Sequence, residues 1–264
     1  MRAKLAAIFV VAAAWGAAAL AETSAPPQGL ATRSGWEIGG QLTRYHYEEP
    51  DVMWLKGDRL GVTGAYTAAS PNRAFARFEA RASYGSLDYQ GSGTMSDVPD
   101  YLFEVRVLAG RDYPAGKVVW SPYVGGGFRY LYNDLRGTTS TGQLGYRRDS
   151  SYFYLPLGVT LRMQLGSDWA MAPQVEYKGF IHGVQRTYLS DTGIPGYSDV
   201  TNQQRQGSGY RLQLMFEGRR WSFGPWLDYW DIKDSDRQQI APGITGIEPA
   251  NWTREAGVEL RYRF

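Results

Sequence analysis

The 264-residue sequence predicts an all-β fold, a closed antiparallel transmembrane β-barrel of about ten strands, tight turns at one end and long loops at the other. Alternation is the first ground: near the carboxy-terminus Ala256, Val258, Leu260, Tyr262 and Phe264 interleave with Gly257, Glu259, Arg261 and Arg263. A period of two with aliphatics opposite charges gives a strand one oily face and one polar face. The second ground is that no stretch after the amino-terminus approaches the roughly 20 apolar residues of a spanning helix. Third, Gly 32, Tyr 19 and Trp 9 are high for this length, and Tyr and Trp favour membrane interfaces.

At the amino-terminus Arg2 and Lys4 precede an apolar run from Leu5 through Ala13, and Ala19-Leu20-Ala21 supplies small residues before Glu22. This is the layout of a secretory signal peptide over residues 1–21, followed by a polar N-terminal segment, 22–34, and the barrel, 35–264. With no cysteine, neither a lipid anchor on sulfur nor a disulfide framework is available. Loss of Arg2 and Lys4 takes Lys+Arg from 28 to 26 against Asp+Glu 26, so the mature chain is formally neutral and offers no electrostatic footprint for nucleic acid.

Strands are expected near Trp36 to Glu48, Arg59 to Ala68, Arg73 to Tyr89, Tyr101 to Tyr113, Val118 to Asn133, Ser151 to Gln164, Trp169 to Gln185, Gly209 to Gly218, Trp221 to Lys233 and Trp252 to Phe264. Ser70-Pro71-Asn72, Pro114-Ala115-Gly116, Gly166-Ser167-Asp168 and Gly218-Arg219-Arg220 read as tight turns. The other connections read as long loops rich in Gly, Ser, Thr and Asp, so both chain ends fall on the turn side. Gly125-Gly126-Gly127 lies inside a strand pattern, where glycine permits bending or close packing.

The alternation assigns faces. Trp36, Ile38, Leu42, Phe78, Phe103, Val107, Leu155, Leu157, Val175, Leu212 and Leu227 belong to the apolar set that should meet lipid. The interleaved set is Glu37, Arg77, Glu79, Arg81, Glu104, Arg106, Arg129, Arg162, Glu176, Lys178, Arg211, Glu217, Asp228, Glu255, Glu259 and Arg261. A midplane Arg or Lys facing hydrocarbon costs about 2–4 kcal/mol, so these groups define the lumen. Both signs occur in similar numbers, often two residues apart, and predict a lattice of ion pairs filling a narrow tube; a selective pore more often carries an excess of one sign.

Aromatic girdles are expected at both interfaces, with Trp120, Trp169, Trp221, Phe223, Tyr262 and Phe264 at the turn end and Tyr45, Tyr47, Tyr84, Tyr130, Tyr152, Tyr210 and Tyr229 toward the loops.

For chemistry the chain offers only His46 and His182 as imidazoles. His46 lies beside Glu48 and Glu49, and barrel closure would bring it toward Asp231, Asp234 and Asp236, with one strand between. A carboxylate group with one imidazole can activate water or hold a divalent cation, which makes His46, Asp231 and Asp234 the catalytic candidates; a solvated acidic rim accounts for the same residues. His182 shares a predicted face with Glu176 and Lys178. No nucleophile elbow, phosphate loop or His-rich metal site is present, and no cofactor is expected.

The aromatic-ended strand Leu260-Arg261-Tyr262-Arg263-Phe264 resembles the last strand of Gram-negative outer-membrane barrels. That resemblance implies an outer-membrane address, periplasmic turns and extracellular loops, contact with outer-membrane lipid and lipopolysaccharide, and reading of Tyr262 and Phe264 by the barrel-assembly machinery. In strand number and size the chain is also similar to the omptin proteases. Gln185-Arg186-Thr187-Tyr188-Leu189-Ser190-Asp191 holds no histidine, however, so the omptin Asp-x-His arrangement is absent. Gly35-Trp36-Glu37-Ile38-Gly39-Gly40 resembles the small outer-membrane barrels of proteobacteria, which implies a fold and an address but no reaction. Three functions stay open: a structural or surface-interaction barrel working through loops such as Tyr188 to Gln204 and Ser235 to Asn251, a narrow channel for small solutes, and an outer-membrane hydrolase. The lack of an assembled catalytic set argues against the last. No feature names an extracellular ligand.

Overall fold

The computed structural model describes residues 30–264. The expected signal peptide and most of the segment 22–34 lie outside the described residues. Fourteen strands follow in chain order: β1 Gly35–Glu49, β2 Met53–Ala69, β3 Ala74–Gln90, β4 Thr94–Arg111, β5 Tyr113–Ala115, β6 Val118–Thr138, β7 Leu144–Leu165, β8 Trp169–Thr187, β9 Val200–Gln204, β10 Gly207–Glu217, β11 Trp221–Ile232, β12 Gln238–Ala241, β13 Ile244–Gly246 and β14 Asn251–Arg263. All but β12 and β13 form one antiparallel sheet, in which β10 pairs β8 as well as β11, so the sheet closes on itself. β5 continues β4 along β6, and β9 and β10 are successive segments along β8, which leaves ten staves.

Closure is carried by β1 and β14. Glu37 pairs with Arg263 and Glu48 with Trp252, twelve residues in unbroken register. Alternation is visible in exposure: Trp36, Ile38, Leu42, Leu60, Val62 and Val258 stand out from the wall, while Glu37, Gln41, Thr43, Arg59 and Thr63 are buried within it. Outer apolar side chains that are exposed in water are the ones a bilayer would cover.

The turn end follows the sequence expectation. Arg73 (φ 70°), Gly116 (φ 60°) and Gly166 (φ 73°) take the left-handed conformation in three of its tight turns. The loop end differs. Only residues 50–52, 91–93 and 139–143 connect its first three hairpins, because the strands run on past their predicted ends: β2 begins at Met53 rather than Arg59, β4 at Thr94 rather than Tyr101, and β7 at Leu144 rather than Ser151. Much of the expected loop length is therefore sheet standing above the membrane belt. Two true loops remain, residues 188–199 with a 3₁₀ turn at Leu189–Thr192, and residues 233–250, which contain the β12–β13 hairpin.

Aromatic residues ring the turn end as expected: Trp36 against Tyr66 (4.7 Å), Trp221 against Tyr262 (4.9 Å), Tyr262 against Phe264 (5.2 Å) and Trp169 against Phe223 (5.7 Å). Toward the loops, Tyr84–Tyr101 and Tyr177–Tyr210 form outward cross-strand pairs. Tyr45, Tyr47 and Tyr152 are corrected: they are buried inside, because their positions carry the parity of the lumen face.

Candidate functional site: the lumen and its loop-end mouth

At the turn end, residues 30–34 enter the mouth. Leu30 packs fully buried against Val119 and Ala170. The Thr32 backbone N–H donates to Asp112 Oδ2 (2.6 Å) and its hydroxyl to Asp112 Oδ1 (2.8 Å), while Ser121 also donates to Asp112 (2.7 Å). Arg162 reaches Glu217 (3.0 Å) and the Thr32 hydroxyl (3.2 Å), and Arg33 donates to the Gly218 carbonyl (2.8 Å). Above this segment lies a cavity of about 70 Å³ with Arg77, Tyr123 and Gln174 in its wall.

Further in, charges alternate in sign around the tube. Arg77 donates to Glu37 (2.6 Å) and Glu79 (2.7 Å), and Arg263 Nε to Glu37 (2.9 Å). Arg106 bridges Glu79 and Glu176, with 2.8 Å to the latter, and Tyr123 donates to Glu176 (2.7 Å). Arg261 holds Glu259 (2.5 Å), which also accepts from Gln213 (3.1 Å).

The middle of the lumen is its densest part. Arg129 (2.7 Å), Arg81 (3.4 Å) and Arg59 (3.9 Å) surround Glu255, and Arg59 is also paired with Asp100. Lys178 lies 2.5 Å from Asp228, which Arg211 (3.4 Å) and Arg81 (3.6 Å) approach as well. Arg81 holds Glu104, whose other oxygen accepts from the Tyr154 hydroxyl at 2.5 Å. Arg59, Arg129, Lys178 and Asp228 are 0% exposed. Rings pack on the cations, Tyr45 under Arg59 (3.4 Å) and Trp230 near Lys178 (4.9 Å), so the layer contains little free space. A layer of Leu102, Leu131, Tyr152, Tyr154, Trp230 and Ile232 closes over it.

At the loop end Arg148 Nη2 donates to Glu49 Oε1 (2.7 Å) and to Glu248 Oε1, and the Tyr47 hydroxyl reaches the same two oxygens at 2.8 and 3.2 Å. Glu248 belongs to the 233–250 loop, which its own backbone pins: the Glu248 N–H donates to Ser235 Oγ (2.8 Å) and the Ser235 N–H to the Glu248 carbonyl (2.9 Å). Burial, opposed by Arg148 and reinforced by Glu49, pushes the Glu248 carboxyl up to about 7. Beside this cluster is a cavity of about 90 Å³ lined by Met53, Met95, Leu135, Leu144, Tyr89 and Tyr146 among others. The neighbouring loop is fastened by Arg147, which donates to both oxygens of Asp191 (2.8 Å each) and holds that carboxyl below its ordinary range.

The lumen residues named from alternation all sit on the inner face. The alternation missed Arg59, Asp100 and Asp112, and with them Glu49, Arg148 and Glu248. Asp100 and Arg148 lie just before the predicted strand starts, and Glu248 lies in a loop that folds back inward. His46 points outward, 3.0 Å from Glu48 and edge-on to Trp252 at 4.4 Å. Asp231 also lies on the outer wall, paired with Lys233 at 2.8 Å; β14 separates it from His46, a gap of about 10 Å at ordinary strand spacing. Asp234 accepts from the Ala250 N–H (2.6 Å) and Asp236 from the Gln203 N–H (2.7 Å), both loop fastenings. The three candidates are thus not brought together around one space. His182 is corrected: a bulge at Ile181 pairs His182 with the outward Phe153 and Phe180 with the inward Tyr154, so His182 leaves the face of Glu176 and Lys178. Among the described residues no group of three or more His, Asp or Glu side chains is arranged to hold a metal ion.

A family model described as outer membrane protein beta-barrel domain matches residues 7–211, well over half of the chain. A search of the curated proteins finds no match. Among solved structures, the outer membrane protease OmpT from Escherichia coli is similar over 87% of this chain and 94% of its own, with 11% identity and a TM-score of 0.58, a likeness of fold alone. Neisserial surface protein A (NspA) matches over 88% of this chain and 98% of its own at 11% identity and TM-score 0.36, and the Pseudomonas putida toluene transporter TodX over 88% and 90% at 10% and 0.37.

Proposed function

The chain belongs to the outer membrane protein β-barrel family, and from that premise we propose that it is a non-conducting barrel that acts as a surface-interaction protein through its extracellular loop end. The observation that carries this reading is the middle layer, where Arg59, Arg129, Lys178 and Asp228 are 0% exposed within an ion-paired, ring-packed network. An ion crossing it would have to displace paired charges, at a cost far above that of a hydrated pore. Ten staves also fall short of the 16–18 strands that leave an aqueous channel.

Support for interaction at the loop end comes from its build. Strands that continue past the membrane belt raise a rigid platform, and the 233–250 loop is locked onto it through Glu248 and Arg148. Rigid, partly apolar surfaces suit recognition, since little ordering entropy is lost on binding. The hydrolase reading loses ground with His46 and Asp231 on the outer wall, away from any enclosed space.

Single-channel recording in planar bilayers tests the proposal. The refolded protein is expected to leave the membrane resistance unchanged; discrete conductance steps from the wild-type chain would replace it with the channel reading.

A further inference from the structure

The nitrogens of Arg148 are partnered unequally. Nη2 donates to the Glu49 and Glu248 carboxylates, and Nε lies 3.0 Å from the side-chain amide of Gln185. Nη1 has one partner among the described residues, the Met53 sulfur at 3.2 Å. A thioether is a weak acceptor, so a buried charged donor is left short of an oxygen. Beside this contact is the cavity of about 90 Å³, whose wall holds Met53, Met95 and Arg148. Leu144, 47% exposed, and the exposed Ser92 belong to the same wall, so a small solute can enter from the loop end. We propose that Met53 is an oxidation site, at which hydrogen peroxide converts the thioether to a sulfoxide whose oxygen is received by Arg148 Nη1.

In that step a sulfur lone pair attacks one peroxide oxygen, an S–O bond forms and the O–O bond breaks. The departing hydroxide takes the proton left on the transferred oxygen and leaves as water; sulfur is oxidised and the peroxide reduced. Methionine sulfoxide is polar, with negative charge on its oxygen. A guanidinium donor beside that oxygen stabilises the charge as it develops, and more strongly in a site with little water than in solution. The methionine chain is unbranched, with three rotatable bonds, and the cavity gives it room to draw back and admit the oxygen. Glu49 and Glu248 stay on Nη2, so the modification leaves the loop fastening in place. Met95 is the internal reference: it shares the wall and is also partly buried, and no guanidinium donates to it among the described residues.

The test exposes the full barrel in detergent to hydrogen peroxide, then quenches, unfolds and digests it with trypsin, which puts Met53 in the peptide Tyr45–Lys56 and Met95 in Ala82–Arg106. Mass spectrometry should show Met53 oxidising about tenfold faster than Met95, the advantage of one charged hydrogen bond in the transition state. Oxygen held on the Arg148 side makes one sulfoxide epimer, so of two reductases, each specific for one epimer, a single one should restore about nine-tenths of the oxidised Met53 peptide. R148K keeps a charge facing Glu49 and Glu248; it should bring Met53 to the rate of Met95 and give both epimers. Should R148K fail to fold, judged by heat-modifiable migration, the wild-type comparison decides alone. A chain unfolded in urea before exposure should lose the difference. Equal rates at Met53 and Met95 in the folded wild-type barrel, an even epimer mixture at Met53, or a difference that persists in the unfolded chain overturns the site.

Discussion

The Tyr154 ring lies where a side chain on Gly127 would stand, and it is from that position that its hydroxyl reaches Glu104 at 2.5 Å. β6 and β7 pair these two residues directly across the wall. Substitution G127A forces the ring off its site and loosens a donor of the middle layer. The barrel should lose about 1–3 kcal/mol, the range of core overpacking, in urea unfolding monitored in lipid vesicles. Unchanged stability would mean that the ring relocates freely.

Glu255 is the common partner of Arg59, Arg81 and Arg129. Its removal leaves guanidinium groups buried without their carboxylate, so E255A should cost about 3–5 kcal/mol, while E255Q, which keeps the volume and an acceptor, should cost less. Equal effects of the two substitutions would show that shape and not charge governs the layer.

Glu248 gives the loop a pH dependence. Its carboxyl titrates near 4.5 when free and is pushed up to about 7 when docked, so docking takes up a proton. The docked loop is therefore favoured below about pH 4.5 and loses that advantage as pH rises through 7, by up to about 300-fold in the docking equilibrium. Hydrogen exchange of residues 233–250, corrected for the intrinsic rate, should show falling protection from pH 5 to pH 8. E248Q should flatten the profile; a slope of opposite sign would contradict the assignment.

Leu30 is fully buried at the turn-end mouth. L30A should cost about 2–5 kcal/mol if the segment is part of the folded barrel, read as a lowered urea midpoint. T32A, which removes one donor to Asp112, should cost about 1 kcal/mol. No effect of either would mean that residues 30–34 dock only loosely.

Much of this architecture was legible because strand parity carries both halves of the argument. Glu37 on β1 and Asp228 on β11 could be assigned inward from sequence alone, since each lies between outward apolar residues. His182 was not, because a bulge inserts one residue and reverses parity without any mark in the composition. Tyr45, Tyr47 and Tyr152 read as interface residues, yet an aromatic ring serves a girdle or a packed lumen equally well. Strand lengths escaped for a related reason: above the bilayer neither face must be oily, so the alternation fades at Met53 and Thr94 while the hydrogen-bonded ladder continues. The contact of Glu248 with Arg148, a hundred residues apart, depends on a loop path that no local pattern encodes.

The pairing of charges across the tube also constrains how the chain can enter a bilayer. Glu37 on β1 is neutralised by Arg263 on β14 and Arg77 on β3, and Glu255 on β14 by cations from β2, β3 and β6. A sheet lacking its final strand would leave Glu37 with Arg77 alone and would deprive Arg59, Arg81 and Arg129 of the carboxylate they share. Insertion of this wall is thus coupled to rolling it shut, with the last seam completing the electrical balance of β1, β2, β3 and β6.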